Sequence, residues 1–175
     1  MIEALEFVHP GKTCCFTGHR PKFFPWGENI NDSAAQKLLD ALEAEIRKAV
    51  ADGYNTFLYG GALGVDTWAA QIVLRLKEKL PLTLIAVLPF PGYNETVNNN
   101  TYRFTLAASD QIIYVDNKRK MSAMAARDQY MVDCSSRLIA VYDERSHLHS
   151  GTYRALCYAK EKGLEIRQIC WMNFV

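Results

Sequence analysis

The residues best suited to chemistry lie where extended apolar runs give way to glycines, hydroxyls and charges. Tyr59-Gly60-Gly61-Ala62-Leu63-Gly64-Val65-Asp66 is the densest such stretch, between an extended run at 56–59 and a helical pattern at 67–79. Its three glycines leave few Cβ atoms between a ligand and the backbone amides. The helix start that follows adds unpaired N–H groups and the positive end of a dipole, which together suit phosphate. A tight turn with no ligand fits the same glycines. Asp66 sits in the first helical turn, where it would repel a phosphate at contact, so a ribose hydroxyl is its more sensible partner. Thr17-Gly18-His19-Arg20-Pro21 closes an earlier extended run as a loop, because Pro21 biases Arg20 away from helix. Arg20 either grips a phosphate with its planar fork or pairs with a surface carboxylate. His19 either bonds or exchanges protons with a ligand, or is a satisfied structural histidine. Ser150-Gly151-Thr152 puts hydroxyls at a further helix start, where Ser150 also qualifies as a plain N-cap. Two such helix starts on one crevice would hold two phosphates, or a phosphate and a ribose.

Other patterns carry less. His147-x-His149 lies in a loop without a cysteine or carboxylate pair at ligand spacing, so no metal is expected. The glycines match neither G-x-x-x-x-G-K-[ST] nor G-x-G-x-x-G, and there is no G-x-S-x-G. No catalytic residue is assigned. Lys118-Arg119-Lys120 reads as a solvated loop.

The elements that must position these loops alternate regularly. Extended runs are expected at 12–16, 56–59, 82–88, 111–115, 137–142 and 165–170. Helices are expected from Ser33 to a stop at Gly53, then over 67–79, 121–132 and 152–162, with a weak one over 95–108. Ser33 with Gln36 fits a capping box, and Asp32 is the rival cap. The unbroken apolar run Leu82 to Leu88 suits a strand covered on both faces. Strand–helix alternation predicts a three-layer αβα sandwich around a mostly parallel, Rossmann-like sheet in one domain, 1–175. In such sheets ligands collect beyond the carboxyl ends of the strands, where strand order reverses. Phe23, Phe24 and Trp26 form an exposed aromatic group with three open roles: a protein or homo-oligomer interface, a lid, or a satellite core.

Composition excludes some classes. A chain of 175 residues, 49% hydrophobic and 22% charged, is an ordinary globular one. A net charge of +1 argues against nucleic acid as partner, and no apolar run approaches the ~18 residues of a membrane span. The first ten residues have no basic start, so no signal peptide is expected and the cytoplasm is the default location. The five cysteines form no C-x-x-C pair and read mostly as small buried hydrophobes.

Thr17-Gly18-His19-Arg20-Pro21, the Gly60–Asp66 stretch, Arg127-x-x-x-Met131 and Ser150-Gly151-Thr152, in this order, resemble the YpsA/YoqJ group of bacterial proteins. That group belongs to the superfamily joining DprA and the Lonely Guy enzymes, called SLOG. The resemblance implies a Rossmann-like fold and a pocket for a nucleotide-derived ligand, with an ADP-ribose or NAD-like molecule favoured. Its implied binding residues are Thr17, Gly18, His19, Arg20, Gly60, Gly61, Ala62, Gly64, Asp66, Arg127, Ser150, Gly151 and Thr152. The Lonely Guy phosphoribohydrolases carry a glutamate just after the threonine, where this chain has Tyr153, Arg154 and Ala155. A cationic ribosyl transition state would lose its nearest counter-charge there. The resemblance therefore implies binding or sensing, with a nucleotide hydrolase and a DprA-like DNA-binding module as alternatives.

Overall fold

A computed structural model describes residues 8–146 and 150–175. Six strands form one sheet: β1 Thr13–Gly18, β2 Thr56–Tyr59, β3 Thr83–Leu88, β4 Gln111–Tyr114, β5 Arg137–Val141 and β6 Glu165–Ile169. Between them run α1 Ser33–Ala51, α2 Val65–Lys77, α3 Asn100–Ala107, α4 Ser122–Asp133 and α5 Gly151–Glu161. The order across the sheet is β4-β3-β2-β1-β5-β6, and all five pairings are parallel.

That order follows from right-handed crossovers. The chain steps outward from β1 to β4 with α1, α2 and α3 on one face. It then returns to lay β5 beside β1, so α4 and α5 fall on the other face. Period-two side chains divide the core accordingly. Cys14, Phe16, Phe57 and Leu84 pack with Leu38, Leu42 and Ile46 of α1 and with Ala69 and Val73 of α2. Cys15, Leu58, Ile85 and Leu138 pack with Met131 and Val132 of α4 and with Leu156 and Ala159 of α5. β3 is buried along Leu84 to Leu88, as its unbroken apolar run requires. The order reverses between β1 and β5, which fixes where a crevice opens.

Several boundaries differ from expectation. Asp32, not Ser33, caps α1: its carboxylate accepts from the Ala34 amide at 2.8 Å and the Ala35 amide at 3.3 Å. The charged acceptor meets the dipole one residue earlier, and the Gln36 side chain bonds the Ile30 carbonyl instead of closing a capping box. The weak helix over 95–108 splits into a 3₁₀ turn, Tyr93–Thr96, and α3, capped by the Asn99 side chain on the Tyr102 amide at 2.9 Å. α2 begins at Val65, two residues early. The aromatic loop is not exposed as a group. Phe24 stacks on Trp26 at 4.9 Å between centroids and meets Trp171 edge-on at 5.3 Å, both joined to the main core. Only Phe23 is exposed, at 40%. Phe24 and Trp26 thus belong to the main core rather than to a satellite of it. Among the cysteines Cys157 departs from the buried expectation and lies at the surface.

Candidate functional site

At the reversal point a cavity of about 290 Å³ opens beyond the carboxyl ends of the strands. Three loops that are distant in sequence meet around it. Thr17, Gly18, His19 and Arg20 come from the end of β1, and Ala62 and Asp66 from the turn after β2. Ser150, Gly151 and Thr152 come from the start of α5, and Arg127 reaches in from α4. Ten of the thirteen residues the motifs single out therefore line one space.

The other three, Gly60, Gly61 and Gly64, are not among the residues lining this cavity and are closely packed. Gly64 caps α2 at φ +90°, and a Cβ there would stand 2.6 Å from the His19 carbonyl oxygen. A side chain would be strained by the backbone and blocked by it. Gly61 packs on Leu88, and Gly60 on Asp66 and Arg127. The first amide of α2, from Val65, donates to the His19 carbonyl at 3.3 Å, and the Ala62 amide donates to Asp66 at 3.3 Å. The start of α2 is thus partly closed by the β1 loop. The start of α5 lies in the cavity wall, where Ser150 caps it by accepting from the Tyr153 amide at 3.4 Å. The hydroxyls of Thr17 and Thr152 form no hydrogen bond among the described residues. His147 and His149 lie outside the described residues.

A buried charge cluster forms the floor. The Arg127 guanidinium donates from Nε and Nη2 to one Asp128 oxygen, at 2.9 and 2.8 Å, and from Nη1 to the Gly60 carbonyl at 2.7 Å. Asp66 stands beside it. Burial is the main reason the Asp66 pKa rises to about 6; Arg127 opposes the rise and Asp128 adds to it. Burial also raises Asp128, again against the pull of Arg127. Burial alone would lower Arg127, but Asp128 and Asp66 outweigh it and hold its pKa above the usual arginine value. A proton can therefore move on or off Asp66 close to neutral pH.

His19 is 2% exposed, ringed by Phe23, Phe24 and Tyr142, and its Nε2 has no hydrogen-bond partner among the described residues. Burial lowers its pKa, so the ring is neutral at pH 7, with Nε2 able to donate or accept. Arg20 is exposed at the rim and, among the described residues, makes no ion pair or hydrogen bond through its guanidinium.

Asp128 and Arg154 also line the cavity, and no motif marks them. One Asp128 oxygen lies 4.0 Å from the position a Cβ on Gly151 would take. Asp128 of α4 thus places a carboxylate near the start of α5. Its only trace in the sequence is its place directly after Arg127. Among the described residues no group of three metal-ligating side chains occurs, and no helix is long and apolar enough to cross a membrane.

The family model for YpsA, described as the YspA SLOG family, matches residues 14–173. A UPF0398 protein of Bacillus thuringiensis (strain Al Hakam) is 30% identical over 141 residues, covering 76% of this chain and 75% of its own. A UPF0398 protein of Bacillus cereus (strain B4264) is 29% identical over 140 residues, with the same coverage. Among solved structures, DNA processing protein A from Helicobacter pylori, described for its single-stranded DNA binding mode, aligns with a TM-score of 0.59 at 18% identity. That alignment covers 94% of this chain and 68% of the other. DNA processing protein A (DprA) from Streptococcus pneumoniae aligns with a TM-score of 0.58 at 17% identity, over 89% of this chain and 49% of that one. At such identities these two share the fold.

Proposed function

Since the chain belongs to the YpsA SLOG family, we propose that it binds a phosphate-containing nucleotide derivative, of the ADP-ribose or NAD type, at the reversal point. The observation that carries this reading is the meeting of the β1 loop, the turn after β2 and the start of α5 around one cavity. The Gly151 and Thr152 amides at the dipole end of α5 offer an anion site, and the unpaired Arg20 fork adds charge at the rim. His19, with a buried nitrogen in need of a partner, supplies a polar contact whose reward is the relief of a desolvated group. Asp66 and Asp128 suit sugar hydroxyls rather than phosphate. Isothermal titration with AMP, ADP-ribose and NAD is the test. Saturable binding that weakens in Arg20→Ala supports the reading, and no heat from any of the three at millimolar concentration overturns it.

Two further readings each have one observation behind them. The raised Asp66 pKa suits a general acid for cleaving a nucleotide; product formation that is lost in Asp66→Asn while binding persists would establish it. The DprA-like fold with the unpaired Arg20 at the rim suits single-stranded DNA. That reading requires retention that falls steeply with salt, and DNA binding that is absent at low salt removes it.

A further inference from the structure

We infer that the far ring of the ADP-ribose- or NAD-type ligand lies in a second cavity adjoining the first. The inference rests on the nucleotide reading above. The second cavity, about 650 Å³, opens beyond β3 and β4. Phe90 and Tyr93 from the turn after β3, Leu63, and Arg119 and Met121 ahead of α4 contribute to its walls. Arg20 and Met124 line both cavities, so the two are neighbours along one rim.

Size is the first argument. Pockets that enclose drug-sized ligands run to about 300–1,000 Å³. The first cavity alone, at about 290 Å³, sits at the lower edge of that range, while the pair together stays inside it. A ligand anchored at α5 and passing Arg20 with its phosphates has somewhere to continue.

The chemistry of the walls is the second argument. Phe90 and Tyr93 meet edge-on, with centroids 5.7 Å apart and planes at 87°. Met121, 94% exposed at the edge of this cavity, offers an adaptable apolar side chain to water. A flat ring laid over it would remove that surface from solvent. The cations are arranged for a linker. Arg20 stands at the junction and Arg119 on the far side, and neither guanidinium has an ion pair or hydrogen bond among the described residues. Lys120, by contrast, is paired with Asp116 at 2.7 Å. An apolar wall flanked by two unpaired arginines fits a ring attached through an anionic bridge. That is the build of the pyrophosphate-linked ligand proposed above, with its far ring in this cavity.

Calorimetric titration of AMP and NAD into the wild type, Arg119→Ala and Met121→Glu tests this. Both substitutions are at exposed positions, so the fold is kept. The wild type should bind NAD at least about tenfold more tightly than AMP. Each variant should lose about tenfold of its NAD affinity, roughly what one good contact contributes, and leave AMP unchanged. If AMP binds but NAD is no tighter, or NAD is indifferent to both variants, the second cavity takes no part and binding belongs to the first cavity alone. Equal losses for AMP and NAD would also overturn it, because the effect would not belong to the far end. If nothing binds to the wild type, both readings fall together.

Discussion

Replacing Asp66 with asparagine isolates what a carboxylate in the cavity wall does to the fold. Its pKa is raised from 3.8 to about 6, chiefly by burial. A group that holds its proton more tightly when folded stabilises the fold fully below its unfolded pKa. It withdraws that stabilisation as the pH climbs through the folded value. Here the window runs from pH 3.8 to about 6. Roughly two pH units, at about 1.4 kcal/mol each, correspond to about 3 kcal/mol. D66N cannot ionise, yet keeps an oxygen to accept from the Ala62 amide, so it should lack this slope. Urea unfolding of both proteins between pH 4 and 7.5 gives the variant-minus-wild-type difference in stability, in which the other carboxylates largely cancel. That difference should grow in the variant's favour by about 3 kcal/mol as the pH rises, almost all of it below pH 6.5. A flat difference would mean that Arg127 fully compensates the burial. A difference that shrinks with pH would mean that Asp66 is an ordinary stabilising partner of that arginine, and the account of the buried cluster would be wrong.

Gly64→Ala should destabilise the protein by about 2–4 kcal/mol, from a strained positive φ and a clash with the His19 carbonyl; the urea midpoint reads this. Arg127→Ala should lose about 3–5 kcal/mol at pH 7, because buried Asp66 and partly buried Asp128 lose their counter-charge. The loss should be smaller at pH 5 in the same unfolding assay. Arg127→Lys should recover only part, since one ammonium cannot reproduce three directed N–H contacts to Asp128 and Gly60. Asp32→Ala should lose about 1 kcal/mol with the α1 cap, and thermal melting should show it. ADP-ribose affinity measured by calorimetry should strengthen as the pH falls from 7.5 to 6. Asp66, whose pKa burial raises to about 6, takes up a proton over this range and repels the pyrophosphate less.

The fold was legible because each element carries its own period. Leu38, Leu42 and Ile46 mark a helix face, Leu84 to Leu88 a doubly covered strand, and glycines and prolines the stops. The loops were legible too, since Gly18 and Gly61 stand at strand ends and Gly151 at a helix start wherever those elements lie. What the glycines do was less so. Three of those after β2 are required by close packing against Leu88, His19 and Arg127, and packing leaves the same mark as phosphate binding. The charge cluster was hidden for a different reason. Arg127 bonds Gly60 across 67 positions of sequence, and only the return of the chain to β1 brings them together. Asp128 escaped because successive residues of a helix point about 100° apart, so its neighbourhood with Arg127 gave no reason to aim it at α5. The second cavity draws on Tyr93, on Met121 and on Arg119, whose stretch the sequence marked only as a solvated basic loop.

The reversal of strand order also bears on how the polypeptide is made. Residues through β4 emerge from the ribosome with helices for one face only. Until α4 and α5 are synthesised, Cys15, Leu58, Ile85 and Val87 present a bare apolar surface. Such a surface on a nascent chain is a natural target for a holding chaperone and a hazard if translation stalls. The two helices that end this exposure are the ones that bring Arg127, Asp128 and the Ser150 turn, so the cavity is completed in the same late event that covers this apolar face.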